Sequence, residues 1–195
     1  MEKLIIHISG ASGSGKTTLG NKLKEQFKSK IVVKDLDNLR DEHIEKTYDT
    51  SKGWSVDEVK YQKFIDDFIK KQKKPIIFVG LNDNNFGIKK IYYNVHAQHN
   101  FYIDIDIKEL LTQKCLRMLT EEIPNDKMAI KDLVDNNDKF IKGMKFAIDG
   151  ACNLKVITKE NNKLKKDYEK QDYRFMSREN IYKSVVKILN NKFSK

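Results

Sequence analysis

A short run of glycines followed by lysine and threonine near the amino terminus limits the possible folds more than any other feature of this 195-residue sequence. Residues 10–18 read GASGSGKTT, which satisfies the spacing G-x-x-x-x-G-K-S/T. The mostly apolar residues 4–9 before it predict a buried strand, and apolar side chains three or four positions apart predict a helix over residues 19–27. We therefore expect a strand, a glycine-rich turn and a helix in immediate succession.

That context is the one in which this spacing forms a phosphate-binding loop, or P-loop. Its glycines let successive backbone N–H groups turn toward phosphate oxygens at the positive end of the helix dipole. Lys16 is expected to reach the β- and γ-phosphates of ATP, and the Thr17 hydroxyl is expected to bind Mg²⁺. The predicted nucleotide ligands are Gly10, Ser12, Gly13, Ser14, Gly15, Lys16, Thr17 and Thr18. A glycine-rich turn without a ligand is the alternative interpretation.

A second group of polar residues follows a short strand that is predicted at residues 31–33. Ligands of open α/β sheets bind outside the carboxyl ends of strands, so we expect Asp35, Asp37 and Arg40 beside the P-loop. A carboxylate near the γ-phosphate can orient an attacking hydroxyl or accept its proton, which makes Asp37 the candidate catalytic base. Arg40 is the candidate ligand of the phosphoryl acceptor, and Asp35 can help to hold Mg²⁺ through water. Helix N-caps are the alternative roles of both aspartates.

The rest of the chain alternates between strand and helix patterns, which predicts an α/β fold with a parallel sheet of about five strands. Strands are predicted at residues 4–9, 31–33, 75–80, 100–105 and 153–158. The stretches between them predict helices on both faces of the sheet, and residues 159–171 are expected to form an exposed loop. The length of the chain suits one domain with one substantial core.

Basic residues outnumber acidic ones, and the formal net charge is +10. The lysines are spread over the whole chain, so the charge by itself does not define a nucleic-acid surface, although such a surface remains an alternative. Arginine is rare, and the sequence contains it at Arg40, Arg117, Arg174 and Arg178. Because a guanidinium group binds phosphate oxygens in pairs, these positions are candidates for phosphate contacts, with ordinary surface side chains as the alternative.

The cysteines and the apolar stretches indicate the compartment. Cys115 and Cys152 lie far apart in the sequence and lack the C-x-x-C spacing, so we predict neither a disulfide framework nor a zinc site. No stretch approaches the length of a membrane span, and the apolar run near the amino terminus is too short for a signal sequence. We therefore expect a reduced, cytoplasmic protein without a membrane partner.

The P-loop, its helix, the second strand and the segment D-x-x-R at residues 37–40 together resemble the small P-loop kinases. In the adenylate-kinase-like group this segment reads D-x-L-R, as it does here. A similar D-x-x-R in polynucleotide kinases and zeta-toxin-like kinases supplies the aspartate that accepts a proton from the attacking hydroxyl. The resemblance implies a three-layer P-loop NTPase fold with the strand order 2-3-1-4-5, formed by a single domain over residues 1–195. It also implies a helical segment that covers the acceptor at about residues 38–73 and a lid at about residues 114–127.

The segment after the fourth strand resembles the part of small kinases that leads into the lid. This likeness implies that Lys114 and Arg117 neutralise charge that develops on the transferred phosphoryl group. The acidic residue that the family usually has directly after the third strand is absent, and Asp83 is the nearest candidate. In similar kinases the segment after the fifth strand approaches the adenine, a place that Tyr173 or Arg174 would take here, with ordinary packing as the alternative.

These features predict an enzyme that transfers a phosphoryl group from ATP, with Mg²⁺, to a nucleoside, a nucleotide or a similar small molecule. A kinase that acts on the 5′-hydroxyl of a polynucleotide is the first alternative, which the D-x-x-R segment and the positive charge favour. A nucleotide-hydrolysing switch or an ATP-binding module without kinase activity is the second. An enzyme fold that has lost its activity is the last, because the acidic residue after the third strand is missing.

Overall fold

The chain forms two compact units. The computed structural model describes residues 3–47, 57–84, 90–122, 131 and 135–194. The first unit, called here the sheet unit, comprises Met1–Gly10, Gly15–Ile103 and Asp172–Lys195. The second, called the helical unit, comprises Ala11–Ser14 and Asp104–Gln171. The predicted P-loop therefore contributes residues to both units.

The sheet unit contains a five-stranded parallel sheet. In chain order the strands of the described residues are β1 (Ile5–Gly10), β2 (Val32–Asp35), β3 (Ile76–Val79), β4 (Asp83–Asn84), β5 (Ile91–Tyr92), β6 (His99–Ile103) and β7 (Arg174–Met176). The sheet has the order β2-β3-β1-β6-β7, and all of its pairings are parallel. The other two strands, β4 and β5, form a small antiparallel pair. Counted along the chain, the strands of the large sheet have the predicted order 2-3-1-4-5.

Helices connect the strands and make up most of the helical unit. Among the described residues they are, in chain order, α1 (Lys16–Phe27), α2 (Leu36–Thr47), α3 (Glu58–Lys71), α4 (Ile107–Arg117), α5 (Asn137–Ala151), α6 (Leu154–Glu169) and α7 (Arg178–Phe193). The helical unit contains α4, α5 and α6, and a π-helical turn, Met118–Glu122, directly follows α4. Most of these helices begin after a polar side chain that accepts a hydrogen bond from the first turn, which explains where they start. These N-caps are Asp57, Asp106, Asn136, Asn153 and Ser177.

Helices pack on both faces of the parallel sheet. Phe78 and Val79 of β3 point to opposite faces, because successive side chains of a strand alternate. Phe78 belongs to a buried apolar cluster that includes Leu39 of α2 and Ile65 of α3. Val79 instead faces α1, where its Cγ1 lies 3.0 Å from the position that a Cβ would take at Gly20. The α/β arrangement predicted from the alternation of elements is therefore present.

The fifth strand of the sheet lies further along the chain than predicted. The strand predicted at residues 153–158 is wrong, because this segment begins α6. The Asn153 side chain accepts hydrogen bonds from the backbone N–H groups of Lys155 and Val156 and so caps that helix. The exposed loop predicted at residues 159–171 is also wrong, because α6 continues through most of it. The fifth strand is β7, which is three residues long and too short to show a periodic pattern.

Candidate functional site

The turn before α1 has the backbone conformation that the glycine pattern predicts. Gly13 and Gly15 each have a φ of 85°, in the left-handed region that residues with a side chain rarely adopt. Gly15 is the N-cap of α1, and within the described residues no side chain accepts a capping hydrogen bond from this helix. Because glycine has no side chain, it supplies no capping group at the positive end of the helix dipole, which is where a bound anion is favoured.

Lys16 is oriented by the end of the first strand. Its Nζ donates a hydrogen bond of 3.0 Å to the carbonyl oxygen of Gly10, the last residue of β1. A carbonyl is a neutral acceptor, so this bond positions the ammonium group without cancelling its charge. The next two residues, Thr17 and Thr18, are exposed in the first turn of α1. A lysine and two hydroxyls thus stand at the start of this helix, as the P-loop prediction requires.

The two residues predicted to hold Mg²⁺ lie in contact with each other. Thr17 Oγ1 donates a hydrogen bond of 3.1 Å to Asp35 Oδ2. The other carboxylate oxygen, Asp35 Oδ1, accepts a hydrogen bond of 2.9 Å from the backbone N–H of Asp37, at the start of α2. Asp35 therefore supports the start of α2, the alternative role considered from the sequence, while it also faces Thr17. Both roles use the same carboxylate, one oxygen each.

Asp37 and Arg40 form an ion pair in the first turn of α2. Arg40 Nη2 lies 3.0 Å from Asp37 Oδ1, because residues three apart share one face of a helix. The Asp37 side chain is 57% exposed, whereas the Arg40 side chain is 18% exposed. The partly buried guanidinium group thus fixes the position of the carboxylate, which remains exposed to solvent. The candidate base and the candidate acceptor ligand are therefore neighbours.

Asp83 does not take the place of the acidic residue expected after the third strand. The strand β3 ends at Val79, and Asp83 begins the separate strand β4. Its carboxylate is buried and lies 2.8 Å from Lys90 Nζ. Burial alone would lower the pKa of Lys90, but its contacts with Asp83 and Tyr92 outweigh burial and raise that pKa. This ion pair has a structural role in this part of the sheet unit.

The part of the predicted P-loop that belongs to the helical unit packs against α4. A hydrogen bond of 3.0 Å from Ser14 N to Ala11 O closes a turn, in which Ser12 is exposed and Ser14 is buried. A Cβ added to Gly13 would lie 3.2 Å from Cγ of Lys114 on α4. This close approach puts the aliphatic part of a predicted lid residue directly against the loop.

The cations predicted for the lid pair with glutamates of the same unit. Lys114 Nζ lies 3.8 Å from Glu160 Oε2, and Arg117 Nε lies 3.6 Å from Glu121 Oε2. The Arg117 side chain is half exposed, and its partner follows it by one helical turn. The predicted lid at about residues 114–127 continues beyond Glu122 into a segment outside the described residues. The role of Arg117 as a lid cation stays a prediction.

Comparison with known proteins does not identify a family. No protein-family model matches the sequence, and comparison with curated proteins finds no significant match. Among the described residues, no helix is long and apolar enough to cross a membrane, and no group of three or more His, Cys, Asp or Glu side chains is arranged to hold a metal ion. Any function must therefore be argued from the geometry of the site.

His7 is a buried polar residue that sequence reasoning did not select. Its Nε2 lies 3.0 Å from the carbonyl oxygen of Gly80, and its Nδ1 bonds the hydroxyl of Tyr173. A carbonyl only accepts, so Nε2 carries the proton and Nδ1 accepts from Tyr173. Burial, assisted by the charge of Lys16, lowers the pKa of His7 to about 4 despite the opposing effect of the Gly80 bond. A neutral imidazole therefore connects β1 to the end of β3 and to the start of β7.

The two residues considered for adenine contact are engaged elsewhere. The Tyr173 ring is buried and its hydroxyl bonds His7. The Arg174 guanidinium lies 4.4 Å from the centre of the Phe101 ring, on the neighbouring strand. Both residues therefore make packing contacts, the alternative to adenine binding that the sequence analysis gave for them. His7, which bonds the Tyr173 hydroxyl, could have been selected from the sequence only because it is a polar residue inside a mostly apolar strand.

Proposed function

We propose that this chain binds ATP and Mg²⁺ at the start of α1 and transfers the γ-phosphoryl group to a nucleoside, a nucleotide or a similar small molecule. The observation that carries the proposal is the contact of 3.1 Å between the Thr17 hydroxyl and the Asp35 carboxylate. It joins the predicted P-loop to the carboxyl end of β2, the edge at which ligands of such sheets bind. The three-layer P-loop kinase fold belongs to the same proposal.

The donor set of this contact suits Mg²⁺. The ion prefers oxygen ligands, keeps several waters and is commonly bound by one or two carboxylates together with substrate phosphates. Thr17 and Asp35 would hold it, directly or through water, and phosphate oxygens would complete its shell. When bound, Mg²⁺ supplies charge neutralisation on the β- and γ-phosphates. Lys16 and the first N–H groups of α1 would add to that neutralisation.

Asp37 is the residue best suited to act on the acceptor. In the proposed reaction its carboxylate accepts the proton of the acceptor hydroxyl as that oxygen forms a bond to the γ-phosphorus. The bond between this phosphorus and the β,γ-bridging oxygen breaks, and ADP leaves with the bonding electrons. Arg40 fixes the carboxylate through the ion pair of 3.0 Å. Its guanidinium group also favours an acceptor that already carries a phosphate.

The acceptor class is tested by transfer of γ-labelled phosphate from ATP, with Mg²⁺, to nucleosides, nucleoside monophosphates and 5′-hydroxyl oligonucleotides. We expect labelled product from a nucleoside or a nucleotide, and none with a Lys16→Met variant. Labelling of the oligonucleotide alone would support the polynucleotide kinase, which the net charge of +10 favours. ATP hydrolysis without labelled acceptor would indicate a switch or a binding module instead. Wild-type protein that does not bind Mg²⁺ and ATP would contradict the proposal.

A cytoplasmic location follows from this proposal. ATP and free nucleotides are abundant in that compartment, and an enzyme with these substrates would act there. Fractionation of cells that produce the chain, with detection by antibody, tests the location. Recovery with membranes or in the medium would contradict it.

A further inference from the structure

The first residue of the last helix lies directly on the P-loop. Arg178 begins α7, two residues after the carboxyl end of β7. Its Nη1 lies 2.9 Å, and its Cδ 3.1 Å, from the position that a Cβ would take at Gly15. The side chain of Arg178 therefore covers the residue that immediately precedes Lys16. All of these residues belong to the sheet unit.

The absence of a side chain at Gly15 allows this contact as well as the turn. Its φ of 85° disfavours any residue with a side chain. In addition, a methyl group at this position would overlap the guanidinium group at 2.9 Å, well inside van der Waals contact. The P-loop glycine thus makes room for a cation that comes from the opposite end of the sequence.

The contact between Arg178 and Gly15 brings a guanidinium group to the start of α1, which already carries positive charge. Gly15 is the N-cap of α1, whose dipole is positive at this end, and Lys16 follows it directly. A bound anion is attracted by each of these positive charges. The planar guanidinium group is the side chain that best fits phosphate oxygens. In a chain with 38 basic residues, of which few are arginine, an arginine at this point is informative.

We propose that Arg178 is a further nucleotide ligand, whose guanidinium group binds the phosphate chain of the nucleotide held at the start of α1. This inference rests on the proposed ATP site and adds to it a residue that the P-loop spacing does not include. Arg178 is partly buried, so part of its side chain packs on Gly15 while part remains accessible to a ligand. Arg178 therefore contributes to binding of the phosphates and does not contact the base of the nucleotide.

Nucleotide affinity measured by isothermal titration calorimetry tests this role. The variant Arg178→Met removes the charge and keeps a long side chain, whereas Arg178→Lys keeps the charge. A hydrogen bond to a charged group is worth enough to change affinity by about 10- to 100-fold. We expect Arg178→Met to weaken binding of Mg²⁺-bound ATP and ADP by that factor, and Arg178→Lys to restore part of the loss. Tripolyphosphate, which has no base, should show the same loss.

Lys183→Met is the matched control. Lys183 lies on the same helix, is 68% exposed and pairs with Glu179 at 3.1 Å. Its replacement removes one positive charge from α7 five residues along the helix from Arg178, and we expect nucleotide affinity to change by less than about twofold. Thermal unfolding of each variant without nucleotide separates a loss of binding from a loss of folding.

The outcomes separate this inference from the proposed function. Unchanged ATP and tripolyphosphate affinity in Arg178→Met, with a lower unfolding temperature, would show that Arg178 only packs on Gly15 and would overturn the inference. If Lys16→Met abolishes binding while Arg178→Met does not affect it, the inference alone fails. If wild-type protein does not bind ATP, both fail. A loss in Arg178→Met that Lys183→Met does not share supports the inference.

Discussion

Replacing His7 with glutamine removes a buried imidazole whose titration should make the fold sensitive to acid. The pKa of His7 falls from 6.5 to about 4 in the folded chain, chiefly because burial disfavours the charged form. At pH 7 the residue is neutral in the folded chain and mostly neutral in the unfolded chain. Between these two pKa values the unfolded chain binds more protons, so the folded state loses stability as the pH falls.

The size of the effect follows from the two pKa values. Each pKa unit corresponds to about 1.4 kcal/mol of difference between the protonation states. Relative to pH 7, the His7 contribution to the free energy of unfolding should fall by about 2 kcal/mol at pH 5 and by about 3 kcal/mol at pH 4. Such a loss is a large fraction of the stability of a typical domain.

Urea unfolding, followed by circular dichroism at pH 7, 6 and 5, measures this contribution as a difference between two proteins. Glutamine does not titrate, and its amide can still donate to the Gly80 carbonyl. The carboxylates titrate in both proteins and cancel in the difference. We expect the free energy of unfolding of the wild type to drop by about 2 kcal/mol more than that of His7→Gln between pH 7 and pH 5.

Tyr173→Phe tests whether burial, and not the hydrogen bond from Tyr173, lowers the pKa of His7. It removes the hydroxyl that bonds His7 Nδ1 but keeps the ring that buries the imidazole. If burial is the main cause, this variant should retain most of the pH dependence of the wild type. Parallel pH profiles for wild type and His7→Gln would refute the reasoning, because they would show that His7 does not change its protonation between the two states.

Three other perturbations follow from the contacts of the sites. Asp37→Asn should lower kcat for a hydroxyl acceptor by about 10²- to 10⁴-fold in steady-state assays while ATP affinity stays nearly constant; an equal loss of both would indicate a structural or metal role. Asp35→Asn should raise the Mg²⁺ concentration needed for half-maximal ATP binding, and an unchanged Mg²⁺ titration would remove Asp35 from the metal site. The Cys115 and Cys152 thiols are close enough to interact, and burial, together with Cys115, raises the pKa of Cys152 to about 11. Because the thiols are neighbours, diamide should join the two cysteines by a disulfide, and the reaction should be faster at higher pH. Mass spectrometry detects this disulfide as the loss of two hydrogens, and Cys152→Ser should prevent its formation.

Local features were predictable because they depend on residues close together in the sequence. The glycine-rich turn, with positive φ values at Gly13 and Gly15, is an example. The β1–turn–α1 unit required only the apolar run before the glycines and the helical spacing after them. The position of Asp35 was predictable as well, because parallel strands all present their carboxyl ends at one edge of the sheet.

Segments with conflicting signals were predicted less well. Residues 153–158 contain β-branched side chains that favour a strand, but the Asn153 cap and the burial of Ile157 and Tyr168 on one helix favour α6. Local propensity differs by fractions of a kilocalorie per residue, so packing decides between the two. The three residues of β7 had too few neighbours in sequence to show a period, and pairing with β6 defines them as a strand.

The sequence by itself determined the position of the glycine-rich turn, the strand order that the family resemblance implied and the carboxylates expected at the sheet edge. Only the tertiary structure decided which distant side chains reach that edge. The bonds of His7 to Gly80 and Tyr173, the ion pair of Asp83 with Lys90 and the contact of Arg178 with Gly15 are of this kind. The physical reason is that a backbone turn is specified by its own few residues. A contact between distant residues exists only after the sheet has brought its strands together.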